Sequence, residues 1–478
     1  MLKSVFKRIL LLSLSAVITT GGAITASAAQ KTDPAVNAIN FVTSQTANSS
    51  NGFGYAVKED GTLSITKYTG SSKSVSIPAK IDGKTVTAIA ANAFKECTAI
   101  SEIKFPNSIE YIGGFAFEGC KGLRYVILPA SLKEINGSAF IGCSSLEEIY
   151  TDKQNRNFVT VDGVLFNRDR TTLLAYPTGR KGAYTVPDTV TRIHDYAFGE
   201  RNALTKVVIP SSVKTIGFNA FEYCAALKKA SLANGLEEIE TGAFNGCKAL
   251  TDITLPASAK RIHSFAFAEC HSLKTIALPE GLTLLDFSVF EKCYSLRFIK
   301  LPSTLRRIYA NALGYCTSLE SIRLPAGTDE LFGLAFCECR NLKSVTILNK
   351  NARIDKIAFD NCRMLTIYGK QGSTAETYAK QNGIPFATGT APAADLSTIT
   401  LSGNDLTVNA KAFDGKAPYK YAVSCLKPGA TDYKIIQDFS KNDVINICAK
   451  KSGTYIVRIS IKDSAGKVTV NEYTVRKA

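Results

Sequence analysis

Hydrophobic and polar positions fall in a fixed order along most of this chain, and that order returns every 23 residues. One unit runs Pro129-Ala130-Ser131-Leu132, then Ile135, Ala139-Phe140, Cys143, Leu146 and Ile149. The cysteines mark the phase: Cys97, Cys120 and Cys143, then Cys224, Cys247, Cys270, Cys293, Cys316, Cys339 and Cys362. A phenylalanine stands three residues before nearly all of them. Leu313 replaces it once, and the coil headed by Phe198 carries Arg201 where the cysteine belongs. Each apolar position keeps its phase, so every coil turns the same side chains inward. A coil of this size closes no core alone, and the pattern predicts a solenoid in which each coil contacts mainly its neighbours.

Within the unit, Leu-x-x-Ile-x-Leu alternates as a short strand, and proline ends it because it lacks a ladder donor. Ala-Phe predicts a helical or tight turn, with alanine where backbones crowd and phenylalanine between layers. The cysteine reads as a small buried apolar residue ahead of the strand. Equivalent cysteines stand ~5 Å apart on successive rungs with parallel Cβ vectors, which favours free thiols over disulfides. The pairing of Cys425 and Cys448 stays open.

The rhythm breaks once. Cys143 and Cys224 are 81 residues apart, twelve more than three periods. Val161-Asp162-Gly163-Val164-Leu165-Phe166 and Leu173-Leu174-Ala175-Tyr176-Pro177 predict a hairpin with an Asp-Gly turn. The insert is either a degenerate coil with a bulge or a loop presented for binding. Beyond a small-residue linker at 387–395 the period disappears. Runs at 397–401, 405–410, 419–425, 444–449, 455–461 and 468–475 predict six short strands, and an immunoglobulin-like sandwich over 396–478.

Composition places the chain outside the cell. Lys3, Lys7 and Arg8 precede a short apolar run from Ile9 to Thr20, and Ala26-Ser27-Ala28 is a peptidase site. Residues 1–28 read as a signal peptide, leaving Ala29 or Gln30 first, and 29–52 read as a flexible segment. No later run reaches the ~18 apolar residues of a membrane helix. The formal charge of +16 falls by three to +13 when the leader leaves. Outside the cell such a balance favours acidic glycans or wall polymers over nucleic acid as partners, or serves solubility alone.

Catalytic signals are missing. His194 and His263 lie three periods apart, each after the repeat's isoleucine, and His271 beside Cys270 lacks the four-ligand spacing of a zinc site. No carboxylate pair, phosphate loop or nucleophile elbow stands out. The expectation is a protein with no catalytic residues, cofactor or metal.

The candidate ligand-binding residues come from the two variable letters between each coil's Leu/Val and Ile. In a solenoid these letters align in rows: Lys260-Arg261, Thr283-Leu284 and Arg306-Arg307, with Arg192 and Lys214 further up and Glu237-Glu238 interrupting. Lys260, Arg261, Arg306 and Arg307 predict a basic row able to hold a sulfated or phosphorylated polymer through forked hydrogen bonds. A solvated charged face is the plainer reading of the same letters.

Ala-Phe-x-x-Cys, the x-Leu-Pro strand ending and the Asp-Gly-Val-Leu-Phe insert together resemble the BspA-type leucine-rich repeats of bacterial cell-surface proteins. The likeness covers 53–386. Tyr68-Thr69-Gly70 to Ile81-Asp82-Gly83 resembles the family's opening cap, and Gly372-Ser373-Thr374 to Gly383-Ile384-Pro385-Phe386 its closing cap. Gly453-Thr454-Tyr455 through Lys467 is similar to bacterial Ig-like and triple-tyrosine modules. The resemblance implies a mainly β chain, a leucine-rich-repeat solenoid of 23-residue coils followed by a small immunoglobulin-like β-sandwich. It implies a secreted or surface-associated binding or adhesion protein whose partner is an extracellular protein or glycan. The alternative is a structural envelope component without a specific ligand. The chain ends Tyr473-Thr474-Val475-Arg476-Lys477-Ala478, unlike a sorting signal, so the expectation is non-covalent retention or release.

Overall fold

The computed structural model describes residues 48–391, 394–395, 398–402, 405–413, 418–464 and 466–477. The leader read from 1–28 lies outside them, as does most of 29–52. Strands Asn48–Ser50, Phe53–Val57 and Leu63–Tyr68 form an antiparallel meander, and the third pairs in parallel with Lys84–Ile89. From there the chain winds as coils with two short strands each. Glu134–Ile135 lies beside Tyr111–Ile112, and Glu148–Thr151 beside Tyr125–Leu128, in parallel and displaced by one 23-residue period. Inward letters are sealed: Leu236, Ile239, Ala243, Phe244, Cys247 and Leu250 are fully buried.

The third side of the coil is the Ala-Phe segment, which forms a tight turn rather than a helix. In most coils the residue before Ala and the residue before Cys have positive φ, bulky ones included: Phe115, Tyr196, Phe265 and Leu334 before Ala, Tyr223 and Lys292 before Cys. That geometry aims alternate N–H groups along the stack. Asn219, Phe221 and Tyr223 donate to the carbonyls of Thr241, Ala243 and Asn245 in the next coil at 2.7–3.0 Å. The phenylalanine rings stack along the same column. Centroids are 4.6 Å apart for Phe198–Phe221, 5.0 Å for Phe221–Phe244 and 5.4 Å for Phe244–Phe267, with ring planes tilted by 12° or less.

All thirteen cysteines are free thiols. Those of the ladder are more than apolar filler. Cys224, Cys247 and Cys270 each donate Sγ–H to the carbonyl of the phenylalanine 26 residues earlier, at 2.9, 3.2 and 3.4 Å. Cys120, Cys143, Cys293, Cys316 and Cys362 do the same from their own rungs, and Cys339 donates to the carbonyl of Leu313, which stands in the phenylalanine's place. Burial pushes the Cys224 and Cys293 thiols up to about 12, so they stay protonated donors.

The insert is a three-stranded meander, Phe158–Val161, Val164–Asn167 and Thr172–Ala175, turned first at Asp162-Gly163. Both turn residues have positive φ, 46° and 66°, the geometry an Asp-Gly hairpin turn requires. The last strand returns to the solenoid by pairing in parallel with Arg192–Ile193. The side-chain donor ladder continues through the insert with other residues. Thr178 Oγ1 donates to the Phe140 carbonyl at 3.0 Å, and buried Arg201 donates Nε–H to the Tyr176 carbonyl at 2.7 Å and Nη1–H to the Gly199 carbonyl. Burial without a carboxylate lowers the Arg201 guanidinium to about 10.

Helix Thr374–Gln381 closes the stack. Ser373 Oγ accepts from the Glu376 amide, and the Glu376 carboxylate accepts from the Gly372 amide at 2.7 Å, a reciprocal cap that fixes the first turn. Phe386–Thr388 supplies the last parallel rung, on Thr366–Gly369. The linker segment is tied back, Ala391 N–H to Thr346 Oγ1 at 3.0 Å and Lys467 Nζ to the Thr390 carbonyl. The C-terminal region is antiparallel, with a three-stranded sheet (Thr398–Ser402, Asp405–Asn409, Val444–Cys448) and a four-stranded one. One strand of the latter, Lys434–Ser440, has no counterpart among the six expected. Its apolar residues do not alternate, Ile435 is 71 % exposed, and its register against Lys420–Leu426 shifts twice.

The thiol ladder predicts a graded response. Cys247→Ala leaves the buried Phe221 carbonyl with the Cys224 amide, at 3.2 Å, as its remaining donor and should cost about 0.5–1.5 kcal/mol. Cys247→Ser keeps a donor and should cost less, with slower hydrogen exchange over 221–247 than in the alanine variant. A serine variant no more stable than the alanine one would return the thiol to the role of apolar filler.

Candidate functional site

Each short strand has one outward and one inward letter. Along the row these strands are Arg192–Ile193, Thr215–Ile216, Glu238–Ile239, Arg261–Ile262, Leu284–Leu285, Arg307–Ile308, Glu330–Leu331 and Arg353–Ile354. The second residue packs inward and the first faces solvent. The four expected ligand residues lie on this face: Lys260 and Arg261 on one rung, Arg306 and Arg307 two rungs further, with Thr283 and Leu284 between.

The row is not a free cationic ledge. Lys260 Nζ lies 2.9 Å from Glu237 Oε2. Arg261 holds Glu238 with Nε at 2.9 Å and Nη2 at 3.1 Å, while His263 Nε2 lies 2.8 Å from the same carboxylate. Arg307 Nε is 3.8 Å from Glu330 Oε2, and Arg353 Nη1 3.1 Å from Glu330 Oε1. Arg306 instead donates Nη1–H to the Gly327 carbonyl at 3.0 Å. Opposite charges one period apart meet across adjacent rungs, and the 23-residue spacing of Glu237 from Lys260, and of Glu238 from Arg261, was the signal for it.

Between the two basic rungs the stack loosens. The short-strand ladder ends at Arg261–Ile262 and resumes at Leu284–Leu285, and the longer-strand ladder ends at Asp252–Thr254 and resumes at Thr275–Ala277. The turn side stays joined, with Phe265, Phe267 and Glu269 N–H donating to the next coil at 2.8–2.9 Å. Between these two coils the strand sides therefore lack ladder bonds, while the turn side keeps them. The packing is also looser here: Ala259 stands where Leu236 and Leu282 stand in the adjoining coils. Ile253, Leu255 and Ile262 are 8, 7 and 7 % exposed, against 0 % for Leu236 and Ile239. A shallow cavity of about 280 Å³ opens beside the gap, lined by Thr283, Leu284, Arg306, Arg307 and Asp329. Sequence reasoning named the two arginines and the apolar Thr283-Leu284 rung beside them, and missed Asp329.

The remaining histidines are structural. His263 belongs to the Glu238 pair, and the His271 ring packs on Tyr294 at 4.8 Å. Among the described residues no three potential metal ligands cluster, and no helix is long and apolar enough to cross a membrane.

Coils stacked about 23 residues apart, with parallel ladders on two sides and a turn column on the third, define a leucine-rich-repeat β-solenoid. The chain belongs to the BspA type leucine rich repeat family, six copies of which match over residues 66–168, 182–264 and 237–366. Members of that family are typically surface-exposed or secreted, and typically not enzymes. Solved structures similar to it include a leucine-rich repeat protein from Eubacterium ventriosum (20% identity, 60% of this chain and 93% of that one, TM-score 0.46). Another is a leucine-rich repeat protein from Bacteroides ovatus (25% identity, 68% and 71%, TM-score 0.39). A third is the pneumococcal vaccine antigen PcpA (18% identity, 73% and 100%, TM-score 0.39). No curated protein matches the sequence.

The Glu238 pair has a pH signature. Its hydrogen bond from Arg261, more than that from His263, holds its carboxyl down at about 2 against the opposing effect of burial. A depressed carboxyl stabilises the fold above its unfolded value of ~4.3 and loses that contribution as pH falls through the folded one. The stability difference between the native chain and Glu238→Gln should be flat above about pH 5 and shrink toward pH 2. A difference that stays constant down to pH 2 would uncouple this pair from folding.

Proposed function

We propose that this chain is an exported, non-catalytic binding protein that holds an acidic extracellular glycan or wall polymer on the strand face of its solenoid. Residues 1–28 are the leader removed on export, 53–386 the binding solenoid, and 396–478 an immunoglobulin-like spacer joined by the 387–395 segment. One observation supports the reading above the others. The outward letters of the short strands stand in register along the stack while the inward letters hold the core, so the face varies without cost to the fold. Lys260, Arg261, Arg306 and Arg307 all sit on that face. Arg306 is the member of the four without a carboxylate partner, which makes it the main attraction for an anion.

Retention of the mature chain on heparin and teichoic-acid resins tests this. Retention should fall steeply with added salt, because exposed charges are screened over a Debye length of ~8 Å at physiological ionic strength. Passage through both resins at low salt would remove the acidic polymer as partner and leave a protein ligand to be sought.

A further inference from the structure

We propose that the parted rung between Arg261–Ile262 and Leu284–Leu285 is the ligand seat. It takes one acidic sugar unit of an extracellular glycan, with its anionic group on Arg306 and the apolar face of its ring on Leu284. This rests on the binding role proposed above and narrows it from a face to a place.

Four features converge there. Both strand ladders are interrupted between the same two coils while the turn column holds, with Ser272 N–H still donating to the Lys248 carbonyl at 3.1 Å. The amides of Leu284 and Asp286 consequently lack the preceding-coil acceptor that the equivalent amides of Arg261 and His263 have. Leu284, 36 % exposed, is the one apolar outward letter between Arg192 and Arg353, where the other rungs carry charge or a hydroxyl. Exposing a leucine in a polar row costs hydration free energy that a ligand's apolar face recovers.

The cationic chemistry is selective within the row. Lys260, Arg261 and Arg307 face carboxylates, whereas Arg306 is anchored by one Nη1–H to the Gly327 carbonyl and keeps donors free for a planar anion. Gly327 makes that bed: a Cβ there would stand 2.4 Å from Arg306 Nη1. Asp329 also lines the cavity, one oxygen accepting from Asn349 Nδ2 at 3.0 Å, which leaves the other to accept from a sugar hydroxyl. Its negative charge disfavours densely charged ligands and favours a sugar bearing one anionic group beside hydroxyls. The cavity, about 280 Å³, lies at the lower edge of small-ligand sites, which run ~300–1,000 Å³, so it holds a ring rather than a chain. Neighbouring units of the polymer have a platform in the surface rings that start at this rung. Phe287, 46 % exposed, packs on Tyr309 at 5.0 Å, and Tyr309 on Phe332 at 4.5 Å.

Binding of the mature chain to immobilised hyaluronan, which carries carboxylates, and heparin, which also carries sulfates, tests the seat. Arg306→Gln should weaken binding roughly tenfold or more, as expected for loss of a charge-assisted hydrogen bond. Lys206→Gln, which removes the same charge from the other strand face, should change it less than about twofold at physiological salt. Leu284→Asn should also weaken it, and in the unaltered chain added hyaluronan should slow hydrogen exchange at residues 283–286. Equal losses in Arg306→Gln and Lys206→Gln, or unchanged exchange at 283–286 under saturating polymer, would overturn the seat while leaving the acidic-glycan reading in place. An unaltered chain that binds neither polymer would overturn both.

Discussion

Each Ala-Phe turn hands its N–H groups to the coil that follows, and the rest of the solenoid depends on that transfer. Aiming the groups requires two left-handed residues per turn, and for a non-glycine residue that conformation costs roughly 1–2 kcal/mol. Phe265 and Leu334 occupy it nonetheless. The strain persists because the turn is over-determined: three inter-coil hydrogen bonds run beside a fully buried phenylalanine that stacks on its neighbours above and below. Alanine beside it is equally constrained, since its carbonyl accepts from the preceding coil's phenylalanine amide. The strand sides tolerate interruption, and the turn column does not show one between Phe198 and Phe290.

The cysteine position extends the same logic to side chains. The phenylalanine carbonyl accepts from the amide three residues on, as Phe221 does from Cys224, and its second lone pair faces the next coil without a backbone donor. Cysteine supplies one in the smallest apolar package available. Arg201 and Thr178 have neither its size nor its polarity, yet each donates to the equivalent carbonyl across the insert. What the position demands is a hydrogen to give. Reading it as apolar filler was natural, because cysteine is both hydrophobic and a weak donor. Arg201 was the clue: a guanidinium enters a core only where carbonyls await it.

Period and phase made the solenoid, the inward residues and the Asp162-Gly163 hairpin legible, because a 23-residue repeat states the same packing constraint ten times over. The Lys434–Ser440 strand was illegible because its bulges break the alternation on which strand reading relies. At the candidate site the row was visible and its charge balance was not. Lys260 and Arg261 looked cationic when read along their own coil, but a solenoid surface is read across coils, where Glu237 and Glu238 are their nearest neighbours. The parted rung was hidden for a different reason. It coincides with a shortfall of a few carbons at Ala259, but Thr328 stands at the same position without a break, so the letter alone carries no signature.

Such a gap is inexpensive in this architecture and would be ruinous in a globular core. Stability in a solenoid is nearly a sum of coil terms and nearest-neighbour interfaces, so a weakened interface stays local. The phenylalanine rings still stack across the gap, Phe244–Phe267 at 5.4 Å and Phe267–Phe290 at 5.6 Å, slightly wider than the 4.6 Å of Phe198–Phe221. The turn column thus keeps the two halves joined where their strand ladders are interrupted. A regular ladder offers a ligand only a corrugated surface, since its backbone donors and acceptors are mutually satisfied. Interrupting the ladder frees the amides of Leu284 and Asp286, and the concavity lined by Leu284, Arg306 and Asp329 lies beside them on the following coils. The insert at 158–175 departs from the repeat in the opposite manner. It adds strands that pair with one another and bury Leu165, Phe166 and Leu173. Of the two breaks in the repeat, the one invisible to the spacing of the cysteines has the chemistry to hold a ligand.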